Sequence, residues 1–164
     1  MRLELPVTEA LSIAATMGVI PPFVQGIRAE GSTVHLQIDA AQVMGGSGIG
    51  RFLGGLAGLV PVAAHFTGFA DGVATVSVTA EARGVPLHRF MPMVEGRIKA
   101  QLAAQGLPPG VVEVRTGPSD PVIAIDVRRL VAAKVSGVAV TDVALRDATV
   151  HVTATTTDEP FHLL

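Results

Sequence analysis

Asp71-Gly72-Val73-Ala74-Thr75-Val76-Ser77-Val78-Thr79 decides how this chain reads. An Asp-Gly turn signal is followed by strict alternation, with Val76 and Val78 on one face and Thr75, Ser77 and Thr79 on the other. That is the pattern of a hairpin strand buried on one side only. The unit recurs twice. Glu30-Gly31-Ser32 leads into Thr33-Val34-His35-Leu36-Gln37-Ile38, and Arg146-Asp147 leads into Thr149-Val150-His151-Val152-Thr153. Strands covered on both faces read as unbroken apolar runs, so the alternation predicts an antiparallel sheet with one wet face. We expect the valine, leucine and isoleucine positions of all three hairpins to share one buried face.

What covers that face is also in the sequence. Leu87, Phe90, Met91, Val94, Ile98 and Leu102 fall on one side of a helix running from Leu87 or Met91 to Gln105, with Pro92 confined to its first turn. Gly106 and Pro108-Pro109-Gly110 end it. Shorter helices are predicted from Glu9 to about Val19, capped by Thr8, from about Ile49 to Val60, and from Asp126 to about Lys134. Asp39 and Asp126 each close a strand where a helix begins, and both read as N-caps rather than catalytic groups. Val111–Thr116 and Pro121–Ile125 can pair as two further strands.

The composition bounds the rest. At 164 residues, 49% hydrophobic and without a linker tract, residues 1–164 read as one domain with an α+β fold. In outline this is a curved antiparallel sheet of repeated hairpins, packed on one long amphipathic helix plus shorter helices. A net charge of −2 argues against a nucleic-acid partner. The absence of Cys removes disulfides, thiolate nucleophiles and Cys-ligated zinc. Glu4 and Glu9 interrupt any signal-peptide pattern, and Arg51 and Pro61 break the most apolar window, Gly45 to Ala64. No spanning segment is expected, and the cytoplasm is the default location.

Gly46, Gly50, Gly54 and Gly58 recur every fourth residue beside Phe52 and Leu56. Four glycines in a helix would cost about 4 kcal/mol relative to Ala, so a close backbone contact, within the monomer or across a homodimer, is expected there. A bilayer or ligand surface is the rival reading. Gly45-x-x-x-x-Gly50-Arg51-Phe52 lacks the Lys and Ser/Thr of a phosphate-binding loop, and Gly45-x-Ser47-x-Ile49 lacks the second glycine of a nucleophile elbow. His35, His65, His88, His151 and His162 form no close ligand pair, so neither a metal nor a cofactor is expected. His35 and His151 occupy matching wet-face positions, and His88 beside Arg89 could meet a polar headgroup.

The stretch from Asp71-Gly-Val-Ala-Thr-Val-Ser-Val-Thr-Ala-Glu-Ala-Arg-Gly-Val-Pro-Leu87 into the long helix, followed by Leu107-Pro-Pro-Gly-Val-Val-Glu-Val114, resembles the tubular lipid-binding (TULIP-like) proteins and their small bacterial members. The resemblance covers about residues 68 to 130 and implies a curved sheet wrapped round a long helix, with an apolar channel. Those bacterial proteins are usually anchored or exported, and neither an anchor nor an export signal is expected from residues 1–164. The function expected is non-enzymatic binding of a lipid or other apolar small molecule, with Phe52, Leu56, Phe90, Met91, Val94 and Ile98 lining the site and adaptable Met44, Met91 and Met93 beside it. Peripheral contact with a membrane fits the same surfaces. A structural or homo-oligomerising module is the alternative, and a hydrolase ranks third.

Overall fold

Both central residues of the Asp71-Gly72 turn have positive φ, 54° and 83°, as do Asp147 and Ala148 at 51° and 54°. This is the handedness that lets a two-residue turn join twisted antiparallel strands. The computed structural model describes residues 1–18, 20–44, 58–81, 87–116 and 119–164. Within them the chain runs β1 (Arg2–Pro6), α1 (Val7–Thr16), β2 (Val24–Glu30), β3 (Thr33–Asp39), α2 (Ala40–Met44), β4 (Leu59–Ala70) and β5 (Val73–Ala80). It continues through α3 (Leu87–Ala104), β6 (Val112–Arg115), β7 (Val122–Asp126), α4 (Val127–Ala132), β8 (Val135–Ser136), β9 (Val138–Arg146), β10 (Thr149–Thr156) and β11 (His162–Leu163). The architecture is mixed α and β, with every strand pairing antiparallel among the described residues.

Six strands form one sheet in the order β2-β3-β4-β5-β7-β6, and three form another in the order β1-β10-β9. The third hairpin therefore does not join the other two, which corrects the expectation of a single shared face. The alternation of Val150 and Val152 states that β10 has one apolar face, and nothing local states which sheet receives it. On the larger sheet, Ile38, Val60, Val62 and Val78 pack against Leu87, Phe90, Met91 and Val94 of α3, with Phe23 and Val43 closing the flank. The helix is 18 residues long and starts at Leu87, so Pro92 stands inside it and not in its first turn. The proline removes one backbone bond, to the carbonyl of His88, and both residues are exposed, where water can take that carbonyl.

Three further expectations change. The first helix starts at Val7 with Pro6 as its flanking residue and no side-chain cap, so Thr8 is inside the helix rather than its cap. Leu59 and Val60 belong to the twelve-residue strand β4 and not to the end of a helix. Gly58 has φ +80° and its carbonyl accepts from the Ala40 N–H at 2.7 Å, so it enters a strand and is no part of a helical glycine stripe. Gly46, Gly50 and Gly54 lie outside the described residues. Asp39 and Asp126 do act as caps: Asp39 Oδ1 accepts from Ala41 N–H at 3.0 Å and Asp126 Oδ1 from Arg129 N–H at 2.9 Å.

Candidate functional site

Helical spacing places Phe90, Met91, Val94 and Ile98 along one side of α3. Phe90, Met91 and Val94 are buried, Phe90 completely, and Ile98 packs half-buried on the same cluster. Of the six residues expected to line a ligand, these four are brought together. Phe52 and Leu56 lie outside the described residues, as does the side chain of Met44. Met93 faces outward at 37% exposure.

The apolar sheet face extends further than this core. Alternation continues the row of Leu36 and Ile38 into Val34, of Val60 and Val62 into Ala64 and Phe66, and of Val78 into Val76. Register lays them side by side, Val34 against Ala64, Phe66 against Val76 and Val76 against Ile123. Val34, Ala64, Phe66 and Val76 are half-buried and lie outside the cluster beneath α3. A second apolar feature opens at the far end of α3. There Leu102, Ala103, Leu107, Pro108, Val111 and Val112 line a cleft of about 230 Å³ with Lys99 at its edge. The Lys99 ammonium lies 2.6 Å from a Glu95 carboxylate oxygen, and the other Glu95 oxygen accepts the Val114 N–H at 2.7 Å, which ties α3 to β6.

The opposite face of the larger sheet carries a polar stretch through Thr33, His35, His65, Ser77 and Thr79, with Ala63 and Ala124 buried among them. His65, on β4, sits between Thr33 Oγ1 at 2.9 Å from Nδ1 and Thr79 Oγ1 at 3.2 Å from Nε2. His35, one strand away, meets the Glu81 carboxylate through Nδ1 and lies 4.0 Å from Glu30. In the smaller sheet His151 lies 3.4 Å from Glu4. Each of these three histidines thus has a partner on another strand, which binds the sheets across their wet faces. Among the described residues His65 is held by these two hydroxyls, and the nearby carboxylates of Glu81 and Glu30 lie against His35. Among the described residues no group of His, Asp or Glu gathers in a metal-holding arrangement.

The hairpin face and the face of α3 were legible as periodic patterns. The His65 contacts were not, because they join residues 32 and 14 positions apart along the chain. Comparison with protein-family models, curated proteins and solved structures finds no match to this chain. No helix among the described residues is long and apolar enough to cross a membrane.

Proposed function

We propose that the protein binds a lipid or other apolar small molecule, without chemistry, against the apolar face of the six-stranded sheet beside α3. The observation that carries this reading is the row Val34, Ala64, Phe66 and Val76, which continues the core face and stays half-buried outside the α3 cluster. Each of the four keeps part of its surface accessible among the described residues, and an apolar face beside a helix is where a ligand of the same character would lie. In this reading the larger sheet curves about α3, and Phe90, Met91, Val94 and Ile98 hold the helix against it; Phe52 and Leu56, expected in the lining from the sequence, lie outside the described residues. Transfer of an acyl chain from water onto such a face gains about 0.8 kcal/mol per CH₂, enough to drive binding by partition alone. The apolar cleft lined by Leu102, Leu107 and Val111 would suit a second short apolar group.

The test is uptake of a fluorescent fatty-acid probe by delipidated protein, with native mass spectrometry of freshly purified material to detect a carried lipid. Saturable uptake is expected, and Val76→Asp should weaken it by about tenfold or more, the scale of one lost apolar contact and a buried charge. Protein that carries no lipid and takes up no probe would reject the reading.

A further inference from the structure

We propose that the protein self-associates through the free edge of β1, pairing it antiparallel with β1 of a second copy about a two-fold axis at Leu3. An open strand edge is a template for another strand, and proteins protect such edges in recognisable ways. The other edges of the two larger sheets here are managed. Glu95 Oε2 takes the outward Val114 N–H of β6, a bulge between Gln25 and Arg28 interrupts β2, and β9 is flanked by β4 and α4. Among the described residues β1 has none of these devices. Its register on β10 is unbroken from Arg2 to Pro6, and Met1, Arg2, Leu3 and Glu4 are all exposed, Leu3 at 54%.

The backbone groups available on this edge are set by the pairing on the other side. Ala154 donates to the Met1 carbonyl at 2.9 Å, and Val7 donates to the Ala148 carbonyl at 2.9 Å, so the odd-numbered residues of this segment turn towards β10. By alternation the N–H and C=O of Arg2 and Glu4 turn outward. With Leu3 on the axis, Arg2 stands opposite the partner's Glu4 and Glu4 opposite the partner's Arg2, and each pair can exchange both backbone hydrogen bonds. The side chains then match as well. Arg2 meets a carboxylate and Glu4 a guanidinium, while Leu3 meets Leu3 and Met1 meets Leu5 on the apolar side.

Neighbouring registers fail on charge. An axis at Arg2 sets two guanidinium groups against each other, an axis at Glu4 sets two carboxylates, and directly opposed like charges destabilise a strand pair. Pro6, lacking an N–H, stops the ladder where β1 stops. Charged residues on an edge commonly serve to repel a second copy, but that device needs like charges, and Met1-Arg2-Leu3-Glu4-Leu5 is complementary to its own reverse. The contact is short and belongs to the class of small, transient interfaces, so the dimer should dissociate on dilution.

The test is sedimentation velocity of the full chain over a dilution series, with circular dichroism to verify folding, on wild type, Arg2→Glu, Glu4→Arg and the double variant. Wild type should show a reversible monomer-dimer equilibrium. Each single variant, carrying only like charges on the edge, should dimerise about tenfold or more weakly. An equimolar mixture of the two single variants should form a heterodimer, and the double variant, which merely exchanges the charges, should recover the wild-type constant. Wild type that stays monomeric at the highest concentration, single variants that dimerise like wild type, or a mixture of folded single variants that remains monomeric would each overturn the proposal.

Discussion

Ala148 holds a left-handed backbone, φ +54°, that a residue with a Cβ adopts at a cost of about 1–2 kcal/mol. Two long-range bonds keep it there: its N–H donates to the Gly31 carbonyl and its carbonyl accepts from the Val7 N–H, each at 2.9 Å. This one residue therefore links the β9–β10 turn to the β2–β3 turn and to the start of α1. Ala148→Gly should relieve the strain and raise stability by about 0.5–1 kcal/mol in urea unfolding, the lost chain entropy offsetting part of the gain. The reverse applies at Gly72, where φ is +83° and an added Cβ would stand 3.0 Å from the Arg128 Cβ. Gly72→Ala should lower stability by about 1–2 kcal/mol in the same assay. Asp71-Gly72 is a turn signal that any reader of the sequence finds, whereas Asp147-Ala148 takes the same handedness without a glycine because tertiary hydrogen bonds hold it.

At the scale of elements, capping separates the helices. Asp126 accepts from the Arg129 N–H, so Asp126→Ala should cost about 1 kcal/mol in thermal or urea unfolding. Thr8 lies within α1, with its carbonyl accepting from the Ser12 hydroxyl, and Thr8→Ala should change stability by less than about 0.5 kcal/mol. α3 carries a defect at Pro92, which is exposed and without a compensating bond to make. Pro92→Ala should restore the bond to His88 and stabilise by about 1–3 kcal/mol, read as a rise in melting temperature. The strand β4 shows why a Pro misleads. Pro61 pairs with Gln37, and its carbonyl accepts from the Glu81 N–H at 3.0 Å, one rung past the end of β5 at Ala80. Its missing N–H interrupts no internal rung of the ladder, so the strand runs through a residue that reads in isolation as a stop.

At the scale of the molecule, the C-terminal segment folds back as a strap. Thr157 N–H donates to the Gly137 carbonyl at 3.0 Å, Ser136 Oγ to the Pro160 carbonyl at 2.9 Å, and Leu164 N–H to the Lys134 carbonyl at 2.8 Å. The strap passes so close to Gly137 that an added Cβ there would meet the Glu159 carbonyl oxygen at 2.8 Å and the Phe161 Cα at 2.9 Å. Phe161, Leu163 and Leu164 remain exposed, so little apolar burial opposes its release. Gly137→Ala should detach residues 157–164 while leaving the sheets intact. Hydrogen exchange should then accelerate at Thr157 and Leu164 and remain unchanged at Val60 and Val62, and exchange unaltered at the strap would refute this account.

The sequence by itself determined what depends on near neighbours. Alternation marked β3, β5 and β10 and their wet and apolar faces, helical spacing joined Phe90, Met91, Val94 and Ile98, and Asp39 and Asp126 announced their caps. These rest on backbone periods and on contacts within a few residues, which a sequence displays directly. Only the tertiary structure decided which strands share a sheet, because β10 pairs with β1 from the other end of the chain and not with the hairpins it resembles. It decided likewise that His65 lies between Thr33 and Thr79, and that the apolar row through Val34, Ala64, Phe66 and Val76 runs on past α3. Such features follow from register and packing between distant segments, where a period of two states only that a strand has two faces, and the partner chosen by each face is settled by what the whole chain can bury.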